Sequence, residues 1–227
     1  MISIIYGLAL LMVAVLIHEL GHFLAAKKVG VKVEEFAIGF GKPILQTQRG
    51  DTKYSIRPIP LGGFCKLEGE LGGKGFDEEP PLKKILVLIS GSGFNIIAAV
   101  VLFTLIGEIG LIPELATAYK ELFTGTAEEV SIIGPVGIIG LLAATMGDAY
   151  MTIFMLAVLN VALGITNLLP VLPVLDGGRI AIVIFETMIR RRIPEKIMKG
   201  LITTSAVALL VLVAIISYFD VVAIIAG

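Results

Sequence analysis

The 227-residue chain has no tryptophan, one cysteine, two histidines and few charges, with Asp, Glu, Lys and Arg together making up 16%. About a quarter is ordinary for a soluble domain. The single cysteine, Cys65, excludes an internal disulfide framework and a cysteine-based zinc finger. A formal net charge of -1 leaves no basic surface for DNA or RNA, so no nucleic-acid partner is expected. What fills the chain instead is apolar: 56% hydrophobic residues and a mean hydropathy of +0.97. This is the composition of an integral membrane protein and not of an ordinary cytosolic enzyme.

A helix needs about 20 apolar residues to cross the hydrocarbon core. Residues 1–17 carry no charge, and the apolar run continues past His18 and Glu19, predicting a span over about 2–26. Uncharged stretches at 85–107, 149–175 and 201–219 predict three more, at about 85–107, 149–170 and 200–219, the third ended by Pro170 and Pro173. The stretch 132–147 is apolar, short and glycine-rich and reads as a re-entrant or interfacial helix, a fifth span being the alternative. No basic segment precedes the first span and no small-residue cleavage site follows it, so it reads as an anchor and not a signal peptide. Tyr6 and Tyr218 fall near the span ends, as in interfacial belts.

Basic residues set the expected orientation. Of 18 Lys and Arg, eleven lie in 27–84 and six in 179–199, while the segment holding Lys120 also carries five glutamates. Both termini should therefore lie outside and the two basic segments in the cytoplasm; Arg190, Arg191 and Arg192 read as a topology anchor. Within 31–68 the strand-like stretches 45–48 and 53–59 flank the turn signal Arg49-Gly50-Asp51-Thr52. A small β-sheet resting on the cytoplasmic membrane face is expected there, offering an edge over 45–59 on which an extended chain could pair. The Gly-, Pro- and acid-rich stretch 69–81 reads as a flexible connection. The fold class expected is thus an all-α integral membrane bundle of about four transmembrane helices, forming a single domain over 1–227, with a membrane-associated sheet between spans 1 and 2.

His18-Glu19-Leu20-Gly21-His22 is an H-E-x-x-H pattern in an apolar helix, and it contains both histidines of the chain. Spacing of i, i+4 puts the two imidazoles on one helix face, where they can share a tetrahedral metal. Glu19 stands beside them, placed to take a proton from a water that the metal activates. Two core histidines satisfied by hydrogen bonds are the alternative, disfavoured because ionisable groups at membrane depth are costly. A catalytic zinc takes three protein ligands and leaves one position open. With no third histidine, the third ligand should be a carboxylate: Glu108, Asp148, Asp176 or Glu186. Glu108 and Asp148 belong to the opposite span ends, and Glu186 could pair with Arg190 at i, i+4, which leaves Asp176 as the best candidate. The run Asn167-Leu168-Leu169-Pro170-Val171-Leu172-Pro173-Val174-Leu175-Asp176-Gly177-Gly178-Arg179 fits a bent segment delivering a carboxylate to a buried site. Asn167 could donate a hydrogen bond to a developing oxyanion or to a substrate backbone.

With these motifs the chain resembles the site-2 protease family of intramembrane zinc metalloproteases. The weaker matches are Phe36-Ala37-Ile38-Gly39-Phe40-Gly41, Ile59-Pro60-Leu61-Gly62-Gly63-Phe64, the region of Asn95, and Gly134-Pro135-Val136-Gly137. The resemblance implies one Zn2+ per chain held by His18, His22 and Asp176, with Glu19 as catalytic base and Asn167 assisting. It implies transmembrane protein substrates, a lipid bilayer as surroundings, regulated intramembrane proteolysis as the activity, and a prokaryotic cell membrane with the site toward the cytoplasm. The chain departs from the family pattern in three ways. Similar proteins usually separate the asparagine and aspartate by eight residues, against nine here. They often have Gly-Pro before the span-2 asparagine, where this chain has Ser90-Gly91-Ser92-Gly93-Phe94-Asn95. Many carry a PDZ domain, for which 108–130 is too short.

Two other functions use the same residues. A metal transporter would scatter ligands over several spans and need paired carboxylates on the outer side, which are missing. A non-catalytic scaffold would have no need of the base, and Glu19 is intact.

Overall fold

The uncharged first stretch forms one helix, α1 (Ile2–Val29), with nothing to break it before Gly30, whose φ of 81° is the left-handed stop. The computed structural model describes residues 2–70, 75–124 and 134–226. Part of the expected flexible connection, 71–74, and part of the glycine-rich stretch, 132–133, lie outside the described residues, as do 125–131.

After α1 come β1 (Val33–Phe40), β2 (Leu45–Arg49), β3 (Thr52–Ile56) and β4 (Ile59–Leu67). The sheet order is β2-β3-β1-β4, with β1 parallel to β3 and antiparallel to β4. The turn signal at 49–52 does join β2 to β3, with Gly50 at φ 60°. The order also changes which edge matters. β3 is internal, β2 lies at the far edge, and β4 is the edge strand that packs on α1.

The sheet packs alongside α1. Lys27 Nζ donates to Thr52 Oγ1 at 2.7 Å at one end of this contact. At the other, a Cβ placed on Gly62 would stand 3.7 Å from Val15 Cγ1. Twelve helical residues separate Lys27 from Val15, about 18 Å at about 1.5 Å per residue. The sheet therefore follows α1 from Lys27 past the level of His18, with Gly62 of β4 beside Val15.

A short 3-10 turn (Phe76–Glu78) leads to α2 (Pro81–Ile106), which has proline at its first position and ends at Gly107, φ 79°. Then follow α3 (Leu111–Thr124), α4 (Pro135–Ala144), α5 (Ala149–Asn167), α6 (Asp176–Ile189) and α7 (Glu195–Ala226). Among the described residues, four helices are long and apolar enough to cross a membrane: Ile2–Val29, Pro81–Ile106, Ala149–Asn167 and Glu195–Ala223. α4 has 10 residues, about 15 Å long and half the hydrocarbon thickness. It packs on the N-terminal half of α1, and the small residue allowing that approach is Gly7 of α1, where a Cβ would meet Ile139 O at 2.4 Å.

α2 is the central helix, flanked by α1 and α5 and crossed near its start by α6. One buried cluster, including Ala26, Val33, Leu67, Phe76, Val87 and Val183, ties the sheet to α1, α2 and α6. A second, Ala99, Phe103, Ala157 and Val161, joins α2 to α5. α7 packs chiefly on α4 and leaves Val207, Leu210, Val211 and Phe219 exposed.

Candidate metal centre

Three features bring Asp176 to the histidines. A Cβ on Gly21 would lie 2.4 Å from Ser90 O, so α1 and α2 touch backbone to backbone beside His18 and His22. Beyond Asn167 the chain turns with a Leu175 N–H to Leu172 O bond of 2.9 Å and starts α6 at Asp176. Gly177 and Gly178 must be glycine, because a Cβ on either would fall 2.1 or 2.0 Å from the carbonyl oxygens of Leu168 and Leu172. The folded-back turn thus presents the carboxylate at the N-terminus of α6, an end that favours negative charge.

His18 Nε2, His22 Nε2 and Asp176 Oδ2 meet: the nitrogens lie 3.1 Å apart, and the oxygen stands 3.0 Å from the first and 3.3 Å from the second. Among the described residues these three form the one group of acid, thiol and imidazole side chains spaced to hold a metal ion. Their protons can be assigned. His22 Nδ1 lies 2.8 Å from Val87 O, a pure acceptor, so Nδ1 carries its hydrogen. His18 Nδ1 lies 2.7 Å from Asn95 Oδ1. The Asn95 amide nitrogen already donates to Ala14 O at 3.1 Å, so the amide oxygen is what faces the ring. In their neutral forms, the forms a metal ion binds, both imidazoles would point bare Nε2 lone pairs at a carboxylate oxygen. Asp176 Oδ2 is buried with no hydrogen-bond donor among the described residues.

Three lone pairs this close repel unless a cation lies between them. Ligand atoms about 2.0–2.1 Å from a tetrahedral zinc are about 3.3 Å from one another, close to the 3.0–3.3 Å found here. Gly91 of α2 keeps the space clear, since a Cβ there would lie 2.4 Å from His22 Nε2 and 2.7 Å from His18 Nε2. The donor set and the space both fit zinc.

The cluster opens on a cavity of about 610 Å³ bounded by α1, β4, the end of α5, the turn before α6 and Leu209 of α7. Glu19 lines it, and the backbone N–H of Cys65 faces the Glu19 carboxylate. Asn167 lines it too, and its Nδ2 donates to Leu163 O at 3.0 Å. The mouth is polar. Arg179 pairs with Glu70, donates to Glu70 O at 3.2 Å and lies over the Phe76 ring at 5.7 Å. Burial, then the nearby charges of Glu19 and Glu70, push the Cys65 thiol well above its usual range.

The other carboxylates considered for the metal lie elsewhere. Asp148 caps α5 by accepting from Met151 N at 2.9 Å, and Glu108 accepts from Tyr150. Glu186 faces Lys84 at 3.7 Å and accepts from Ile193 N. Its expected i, i+4 partner Arg190 has left the helix with φ 52°, so the register that pairing needs is gone. Gly91 and Asn95 enter the sequence reading only as part of the span-2 resemblance, with no role assigned to either, and Asn160 does not enter it. The available signal was a lone amide and a small residue inside an uncharged span.

The family model for peptidase family M50 matches residues 6–213. A Campylobacter jejuni protein provisionally named a zinc metalloprotease is 46% identical over 103 residues, covering 41% of this chain and 28% of that protein. A Neisseria meningitidis protein of the same provisional name is 36% identical over 135 residues, covering 56% and 29%. Zinc metalloprotease Rip1 of Mycobacterium tuberculosis is 31% identical over 140 residues, covering 56% and 34%. The matched stretches are thus a minor part of each relative's length.

Proposed function

Because the chain belongs to peptidase family M50, we propose that it is a membrane-embedded zinc metalloprotease that hydrolyses peptide bonds within or next to the membrane-spanning segments of other proteins. The observation carrying this reading is the meeting of two bare imidazole nitrogens and a donorless carboxylate oxygen, 3.0–3.3 Å apart, on a cavity wall shared with Glu19. The four long apolar helices support the membrane setting. The basic residues Lys27 and Lys28 at the metal-proximal end of α1 support a cytoplasmic-facing site.

His18, His22 and Asp176 would hold one zinc per chain. When bound, zinc supplies Lewis acidity that brings the ionisation of water near neutral pH. Glu19 takes the proton of the attacking water and returns it to the amide nitrogen as the C–N bond breaks. Asn167 spends one Nδ2 hydrogen on Leu163 O; the other is available to the scissile carbonyl oxygen. A peptide bond inside a helix is shielded by its own turn, so the substrate unwinds before cleavage. β4, an edge strand along the cavity, supports capture of the unwound segment as an added strand. This role was expected of 45–59; the strand order favours 59–67.

Glu19→Gln keeps the ligands and removes the base. Proteolysis of a transmembrane substrate in detergent or liposomes should fall by about 10²–10⁴-fold while bound zinc is unchanged. Cleavage at the normal rate would refute the mechanism.

A further inference from the structure

The two histidines are oriented by different kinds of acceptor. Val87 O, which holds His22, is a backbone carbonyl fixed by its helix. Asn95 Oδ1, which holds His18, belongs to a side-chain amide that can rotate by half a turn and offer a donor instead. A flipped Asn95 would present N–H groups to His18 Nδ1, force that ring's hydrogen onto Nε2, and so place a proton where the metal ligand must be bare.

Two acceptors hold Asn95 one way round, Ala14 O at 3.1 Å and, by the shorter bond, Asn160 Oδ1 of α5 at 2.7 Å. Asn160 Oδ1 accepts from Asn95 Nδ2 at 2.7 Å, and Asn160 Nδ2 donates to Leu156 O at 2.8 Å. Both amides are fully buried, so water does not substitute for either partner. Each bond fixes the next. The Leu156 carbonyl can only accept, so the Asn160 oxygen turns to Asn95; the Asn95 oxygen then turns to His18, and the His18 hydrogen sits on Nδ1. Ala14 O takes the second Asn95 Nδ2 hydrogen at the longer distance of 3.1 Å.

We propose that Asn160 is a positioning residue for the metal centre, acting through Asn95 to hold His18 in the tautomer whose Nε2 is free to bind metal. The relay crosses α5, α2 and α1 and touches neither substrate nor metal at its far end. The proposal rests on the metal-site reading above. It accounts for two polar amides buried in otherwise apolar helices, where each unpaired group would be costly.

The test measures His18 by long-range 1H–15N correlation of imidazole-labelled apo protein, and zinc affinity by competition with a chelator. The wild type should show one tautomer, hydrogen on Nδ1. Asn160→Leu, with Asn160→Ala as a smaller perturbation should leucine prevent folding, should show a tautomer mixture and bind zinc about 10–100-fold more weakly, the range for loss of a group that orients a ligand. Its proteolysis should recover at excess zinc. Asn160→Asp should behave as wild type, because a carboxyl buried here takes up a proton, donates to Leu156 O and accepts from Asn95. A single Nδ1–H tautomer and wild-type zinc affinity in both Asn160→Leu and Asn160→Ala, whatever their thermal stability, would overturn the relay. Absence of zinc binding by the wild type would overturn the metal reading itself, while the tautomer result would still report on the relay.

Discussion

Asp176 and Asp220 are both carboxylates in apolar surroundings, and the chain uses them in opposite ways. Both oxygens of Asp220, on α7, accept backbone hydrogens at the start of α4: Oδ1 from Gly134 N at 3.0 Å and Oδ2 from Gly137 N at 2.9 Å. Those amides are helix-start donors that lack an internal partner, so the charge closes a structural gap and joins two helices. Asp176 also sits at a helix start, yet its Oδ2 faces two imidazole nitrogens that, in the neutral form, have no hydrogen to give. A satisfied acceptor marks architecture, whereas a buried acceptor among other acceptors marks a place for a cation.

The same contrast separates the two ends of the bundle. At the end away from the cluster, Tyr6 bonds Thr152, Asp148 caps α5 and Glu108 takes the Tyr150 hydroxyl. At the metal end, hydrogen bonds serve to aim lone pairs. Substitutions at the two ends should therefore fail differently. Gly91→Ala puts a methyl group against both ligand nitrogens, and bound zinc and proteolysis should be lost together; metal analysis of folded variant protein checks this, and a full complement of zinc would break the contrast from the metal side. Asp220→Ala should cost about 1–3 kcal/mol of stability through the amides left unpaired, read as a lower thermal midpoint, while zinc content stays at the wild-type level. Loss of zinc in Asp220→Ala would break the contrast from the structural side.

How much of this was readable in advance depended on whether an interaction was local. The pairing of His18 with His22 follows from helical spacing alone, and the prolines and glycines around Asp176 announced a sharp turn. Both signals are written within a dozen residues. The span positions were equally local, because a long uncharged run has few other fates; only their ends shifted, α7 extending to Ala226. The strand order β2-β3-β1-β4 was not readable, since β1 pairs across the β2–β3 hairpin. The pairing of Asn95 with Asn160 is not readable, because a sequence separation of 65 residues hides a 2.7 Å bond. Gly91 was hidden for the same reason: what it must avoid is a pair of side chains on another helix. Glu186 misled because its i, i+4 neighbour was assumed to stay helical.

The central claim is that two imidazoles of α1 and the carboxylate opening α6 bind one ion together. Zinc bound per chain, measured by mass spectrometry on purified wild type and Asp176→Ala after dialysis against a weak chelator, tests it most directly. The account predicts one zinc per wild-type chain and a large loss in the variant, with the variant still folded. Equal zinc in both proteins would contradict it.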